Sequence, residues 1–229
     1  MNILAIDTAL PAVSVGVIDA GTGATVVSET VPMTRGHAEA LLPIIQTVVK
    51  AAGGFETLAR VAVTVGPGSF TGIRVGISAA RGIAMARNIP VVGVSTLAAF
   101  AAPFMVNQGS DVIASVIDAR HGQVYVQAFA SGSRVLISPR AMPIREALRA
   151  LGSGPVKLVG SGAPIMAIEA WSAGLRAEVA SNAVSPDIDF VARLGLLADP
   201  AKSLPRPMYL RPVDAKPQTN GLISSPLKP

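Results

Sequence analysis

The order of secondary-structure signals repeats along this chain, and that repeat limits the fold more than any single motif does. Strand-like runs occupy Asn2–Asp7, Val13–Ile18 and Ala24–Val31, apolar and rich in β-branched residues, with Gly21-Thr22-Gly23 marking a hairpin turn. A helix is predicted over His37–Ala52, stopped by Gly53-Gly54 where a left-handed cap favours glycine. A strand at Val61–Val65, a helix over Thr71–Arg87 and a strand at Val91–Val94 complete the first unit. The second half reads in the same order. Strands at Val112–Asp118, Gln123–Phe129 and Arg134–Ser138 precede a helix near Ile144–Leu151. A strand at Val156–Val159 then leads through Gly160-Ser161-Gly162-Ala163 into a helix ending near Trp171.

Two such units predict an α/β protein of two lobes with a cleft between them. This is the duplicated ribonuclease-H-like arrangement of the actin, Hsp70 and sugar-kinase (ASKHA) superfamily. The expected division is an N-terminal lobe over residues 1–104, a C-terminal lobe over 105–199 and a tail over 200–229. That tail carries Lys202, Arg206, Arg211, Lys216 and Lys228 against Asp214 alone, so 5 − 1 = +4 of the chain's +5 net charge sits there, among seven prolines. A basic extended tail is ordinarily solvated, and it can also add weak, sequence-independent contact with RNA phosphates.

Half of the 229 residues are apolar and 14% are charged, which excludes a disordered chain. The longest uncharged run, between Arg87 and Asp111, is broken by Pro90, Gly93, Ser95, Thr96 and Pro103. It reads as strand, turn and short helix, whereas a membrane span wants roughly 20 uninterrupted apolar residues. The opening MNILAIDTAL has no basic region before its apolar part and contains Asp7, so it reads as a buried strand and not a signal peptide. The absence of cysteine excludes disulfides and thiolate metal sites and agrees with a cytoplasmic location.

Asp7 and Asp118 close the first strand of each unit. In a two-lobed phosphotransferase such carboxylates hold hydrated magnesium against phosphate oxygens, beside glycine-rich backbone whose amides reach the phosphates. Asp7 is instead followed by Thr-Ala-Leu-Pro-Ala, which favours a plain turn-capping role. Gly160 and Gly162 offer a close backbone approach for an adenosine, on a weak GxG signal. His37 lacks a second ligand one helical turn on, where Leu41 stands, so no metal site is expected. Gly66-Pro67-Gly68-Ser69-Phe70 is neither a nucleophile elbow nor a P-loop. No cofactor is expected.

Packing carries more information. Gly72, Gly76, Ala80 and Ala84 recur every four residues along the second helix, a smooth ridge that admits another backbone. Two interior glycines cost roughly 1 kcal/mol each against alanine, so a close contact should offset them. The polar stripes are narrow on both helices: Arg74, Ser78 and Arg81 on one, Glu39, Gln46 and Lys50 on the other. Either a further layer of the same chain covers the remaining apolar surface or a partner does, and its extent favours a partner.

The segments ILAIDTA, TRGHAEALLPII, VTVGPGSFTGIRVGISAARGIA, IDARHGQVYVQAF and PMYLRPVDAK resemble, in order and over nearly the whole chain, the bacterial TsaB (YeaZ) family of tRNA threonylcarbamoyladenosine biosynthesis proteins. The resemblance implies a two-lobed fold without catalytic equipment, hence an accessory subunit and not an enzyme. It implies pairing with a TsaD-like catalytic subunit, or with a second copy in its absence, through the two N-lobe helices, and a TsaE-like ATPase as a further partner. The assembly transfers threonylcarbamoyl to N6 of the adenosine beside the anticodon in tRNAs reading codons that begin with A. The interface expected on this chain comprises His37, Leu41, Ile44, Ile45, Val48, Gly72, Ile73, Gly76, Ile77 and Ala80. The alternative, resting on Asp7, Asp118, Gly160 and Gly162 as a nucleotide site, is a free-standing ATP-dependent phosphotransferase.

Overall fold

A computed structural model describes residues 1–106 and 111–211. Its elements, in chain order, are β1 (Asn2–Asp7), β2 (Ala12–Asp19), β3 (Thr25–Pro32), α1 (His37–Ala51), β4 (Leu58–Thr64), α2 (Phe70–Arg87), β5 (Val91–Val94) and α3 (Thr96–Met105). There follow β6 (Val112–Asp118), β7 (Gln123–Ala130), β8 (Arg134–Pro143), α4 (Ile144–Leu151), β9 (Val156–Val159), α5 (Ala163–Ser172), β10 (Ala177–Ser181) and α6 (Ile188–Leu197).

The strands make two five-stranded sheets of one design, β3-β2-β1-β4-β5 and β8-β7-β6-β9-β10. In each, the first three strands are antiparallel and the last two run parallel to the first. This is the duplicated ASKHA architecture expected from the repeat. β1 sits mid-sheet and is buried along its whole length, which is why its centre, Ile3–Ile6, is a continuous apolar run and not an alternating one. β3, at the edge, alternates between exposed and half-buried positions.

α1 and α2 cover one face of the first sheet. Ser69 caps α2 by accepting the Gly72 N–H, and Asn88 ends it in the left-handed conformation at φ 51°. α3 joins the lobes: the Ser115 hydroxyl donates to the Leu97 carbonyl at 2.6 Å, and Phe100 shares a core with Ile113, Ile117 and Phe129.

The other face of the first sheet is covered by an element that the repeat does not foresee. α6, counted by position in the C-terminal lobe (105–199), buries Ile188, Val191 and Ala192 against Ile3, Ala5, Ile18, Ala62 and Val92. Full burial of such an aliphatic side chain contributes about 2 kcal/mol. A Cβ on Gly195 would lie 2.3 Å from Cβ of Ala62, so only glycine permits this approach. Arg60 of β4 donates from one Nη to the carbonyls of Gly195, Leu196 and Ala198 at 2.8, 3.0 and 3.0 Å, satisfying carbonyls orphaned at the helix end.

The start of the expected tail is also packed. The Gly93 N–H donates to Ser203 O at 2.8 Å, the Met208 N–H to Val65 O at 2.7 Å, and Arg81 to Pro205 O at 2.7 Å. Residues 203–209 therefore form a strap across the N-terminal lobe, and Arg211 beyond it donates to Ala119 O of the second lobe at 2.8 Å. The rest of the basic tail, 212–229, and residues 107–110 at the expected lobe boundary lie outside the described residues. No helix among the described residues is long and apolar enough to cross a membrane.

Candidate functional site

The glycine block before and within α2 packs against the loop that follows β1. The Ser69 N–H donates to Ala9 O at 2.7 Å, and the Thr8 hydroxyl donates to Gly72 O at 2.7 Å. A Cβ on Gly68 would lie 2.2 Å from Ala9 O, one on Gly72 would lie 2.1 Å from Thr8 O, and one on Gly76 would lie 2.5 Å from the Thr8 hydroxyl. The small-residue ridge is thus spent inside the chain. Where the spacing of small residues predicts a partner's seat, the cover is the chain's own backbone, two of the close atoms being rigid carbonyl oxygens.

The same correction applies to most of the expected interface. Leu41, Ile44, Ile45, Val48, Ile73, Ile77 and Ala80 are buried in the core between α1, α2 and the first sheet, together with Gly72 and Gly76. They face inward because the apolar stripe of a helix on a sheet is the stripe that the sheet covers. His37 is half-buried and its Nε2 lies 3.0 Å from Leu10 O, so it pins the β1–β2 loop. What α1 and α2 turn outward is a groove of about 560 Å³ between them, walled by Ala38, Leu42, Phe70, Val75, Ser78 and Ala79, with Leu41 at its floor. Leu42 and Phe70 are exposed there, and Arg74 stands at the Phe70 end.

Asp7 is sealed, with no exposed surface. Its Oδ1 accepts from the Thr64 hydroxyl at 2.5 Å and from the Ala9 N–H at 3.1 Å, while Oδ2 has no partner among the described residues. Burial raises its pKa above the ordinary 3.8, against the Thr64 and Ala9 hydrogen bonds and the charge of His37, which lower it. A carboxylate without accessible oxygen does not reach a hydrated cation. Asp7 thus fails as a member of the expected nucleotide set, and the phosphotransferase alternative loses one of its two carboxylates.

Asp118, Gly160 and Gly162 do come together. Gly162 donates to Val116 O at 2.9 Å, and a Cβ on it would lie 2.9 Å from the Asp118 nitrogen. Asp118 is exposed at the mouth of the β6–β7 hairpin, where Arg120, His121 and Gly122 all take positive φ values, 61°, 52° and 71°. Sequence reasoning missed Thr64, which lies 57 residues from the aspartate it bonds, and Tyr209, which meets α2 across 135 residues. Arg74 was legible as part of the polar stripe of α2, but not its pairing with Phe70, one turn away. Tyr209 had no local signal.

A family model described as "TsaD: tRNA N6-adenosine threonylcarbamoyltransferase" matches residues 28–188. The tRNA threonylcarbamoyladenosine biosynthesis protein TsaB of Escherichia coli is 40% identical over 126 residues, 55% of this chain and 53% of that one. The chain spans about half the length of the TsaB relatives that it matches. The uncharacterized protein Rv3421c of Mycobacterium tuberculosis is 33% identical over 218 residues, 94% of each chain. Among solved structures, YeaZ from Pseudomonas aeruginosa superposes with a TM-score of 0.72 at 25% identity, over 91% of this chain and 99% of that one.

Proposed function

Because this chain belongs to the TsaB/YeaZ family, we propose that it serves tRNA threonylcarbamoyladenosine synthesis as a non-catalytic subunit that docks a TsaD-like catalytic partner in the groove between α1 and α2. The observation that carries this reading is the groove itself, where Leu42 of α1 and Phe70 of α2 turn to solvent above Leu41, Val75 and Ala79, which pack with the core. The sealed Asp7 supports the non-catalytic part, since the carboxylate that a working ASKHA enzyme offers to its metal is here fully buried and bonded to Thr64 and the Ala9 N–H. In this reading a second copy takes the groove when the partner is absent, a TsaE-like ATPase joins the pair, tRNA contact by this chain is weak or indirect, and the assembly works in the cytoplasm.

The test places charge on the groove without touching the core. Leu42→Asp and Ser78→Asp, both at exposed groove positions, are expected to keep the parent's circular dichroism and melting temperature and to abolish co-purification with the TsaD-like subunit of the same organism. Retention of the partner by both folded variants overturns the reading. Gly76→Leu is unsuitable for this purpose, because its side chain would collide with Thr8 and Val63 and unfold the lobe.

A further inference from the structure

We propose that Arg74 is the acid-reading end of the groove, held ready by Phe70 and Tyr209 to take a carboxylate from the apolar helix of a partner protein that docks between α1 and α2. This inference rests on the docking role proposed above and adds the partner's chemistry. Phe70 and Tyr209 stack with ring centroids 5.1 Å apart at an interplanar angle of 27°. The Arg74 guanidinium lies 3.9 Å from the Phe70 centroid and 5.9 Å from that of Tyr209, and its Nε donates to the Tyr209 hydroxyl at 2.9 Å. Arg74 is nevertheless exposed, and among the described residues it forms no ion pair and its two terminal nitrogens meet no acceptor.

An exposed arginine ordinarily samples many rotamers, and fixing one costs up to about 2 kcal/mol of side-chain entropy. Here two rings and a hydroxyl fix the Nε edge and leave the Nη edge open, the edge that binds a carboxylate through two parallel hydrogen bonds. Part of the ordering cost of such a contact is met before the partner arrives. Among the described residues lining the groove, Arg74 alone is charged; the others are alanine, leucine, valine, phenylalanine, serine and threonine. Apolar walls ending in one oriented cation fit an amphipathic helix with a single Asp or Glu at the rim of its apolar face. The strap, far from the groove in sequence, is brought to it through Met208 on Val65, so Tyr209 makes the C-terminal segment part of the docking site.

Calorimetric titration with the purified TsaD-like subunit, at low and high salt, tests this on the full-length chain. Arg74→Leu is expected to weaken binding about tenfold or more and to remove most of the salt dependence, with the fold unchanged by circular dichroism. Tyr209→Phe keeps the ring, removes the hydroxyl and is expected to weaken binding by a few fold. Binding by Arg74→Leu within twofold of the parent, with the salt dependence intact, overturns the proposal. If Leu42→Asp abolishes binding in that case, the groove stands without its acid-reading end. If Leu42→Asp also binds normally, the docking reading falls as well. Loss confined to self-association of Arg74→Leu, measured by sedimentation, overturns the assigned occupant and gives the groove to a second copy of this chain.

Discussion

In each lobe the aspartate that ends the first strand accepts the N–H two residues ahead, Asp7 from Ala9 at 3.1 Å and Asp118 from Arg120 at 2.8 Å. The local geometry is the same, yet Asp7 is sealed and Asp118 is open to solvent. The difference lies in where the following glycine turn lands. In the N-terminal lobe Gly68 and Gly72 come down on the carbonyls of Ala9 and Thr8, beyond the aspartate, and the aspartate itself is fully buried. In the C-terminal lobe Gly160 and Gly162 come down on Val116 and the backbone of Ile117 and Asp118, short of the carboxylate, and leave it free. A displacement of a few residues in one contact converts a duplicated scaffold into one closed and one open strand end. The closed end supports the helices that carry the groove.

The largest effect that tests this contrast is expected from Gly72→Ala. Its Cβ would meet a carbonyl oxygen at 2.1 Å, so the chain should lose about 3 kcal/mol or fail to fold, whereas Gly154→Ala in the other lobe, with nothing within 4 Å of its Cβ, should change stability by less than about 0.5 kcal/mol. Equal denaturation midpoints for the two variants break the claim that the closed end is tightly packed. Next comes Arg60→Ala, which leaves two α6 carbonyls and that of Ala198 just past its end without their charged donor and should cost about 2 kcal/mol. Hydrogen exchange should then show α6 opening ahead of the second lobe; unchanged protection of α6 contradicts its attachment to the first.

Asp7→Asn gives a smaller effect with a defined sign. Because burial raises the folded pKa of Asp7, the native state holds its proton more tightly than the unfolded chain does. Stability is therefore full below the ordinary value near 3.8, falls as pH rises from there through the elevated folded value, and then levels. Asp7→Asn should lack this decline, so urea midpoints of the two proteins should converge in acid and separate above it, with the variant higher. A parallel decline in Asp7→Asn assigns the slope to other groups. The smallest effect is expected from Asp118→Asn, about 0.5 kcal/mol or less, since its carboxylate is already solvated. A loss as large as that of a core substitution would show that the open end is not open.

Much of the fold was legible because its signals are local. The repeat of element order, the buried run of β1 and the glycines after α1 each depend on neighbours within a turn or a strand. The ridge Gly72, Gly76, Ala80 and Ala84 was legible as a close-packing face, and it is one. Its occupant was not, because periodicity specifies which side of a helix is smooth and says nothing of what lies on it. The loop that fills it is 64 residues upstream. The groove was missed for the complementary reason: Leu42, Phe70 and Val75 belong to no repeating stripe and become one surface only when α1 and α2 lie side by side.

By itself the sequence determined the repeated order of strands and helices up to the helix ending near Trp171, and the absence of a glycine-rich phosphate loop after Asp7, since hydrophobic period and turn residues act over a few positions. It carried no sign of β10, the fifth strand of the second sheet. Only the tertiary structure decided that α6 covers the first lobe, that Asp7 is closed over, and that Tyr209 reaches Arg74. These contacts join residues 57 to 138 positions apart. Which distant segments meet is set by the shape and volume left open once the sheets have formed, a property of the packed whole that no local pattern carries.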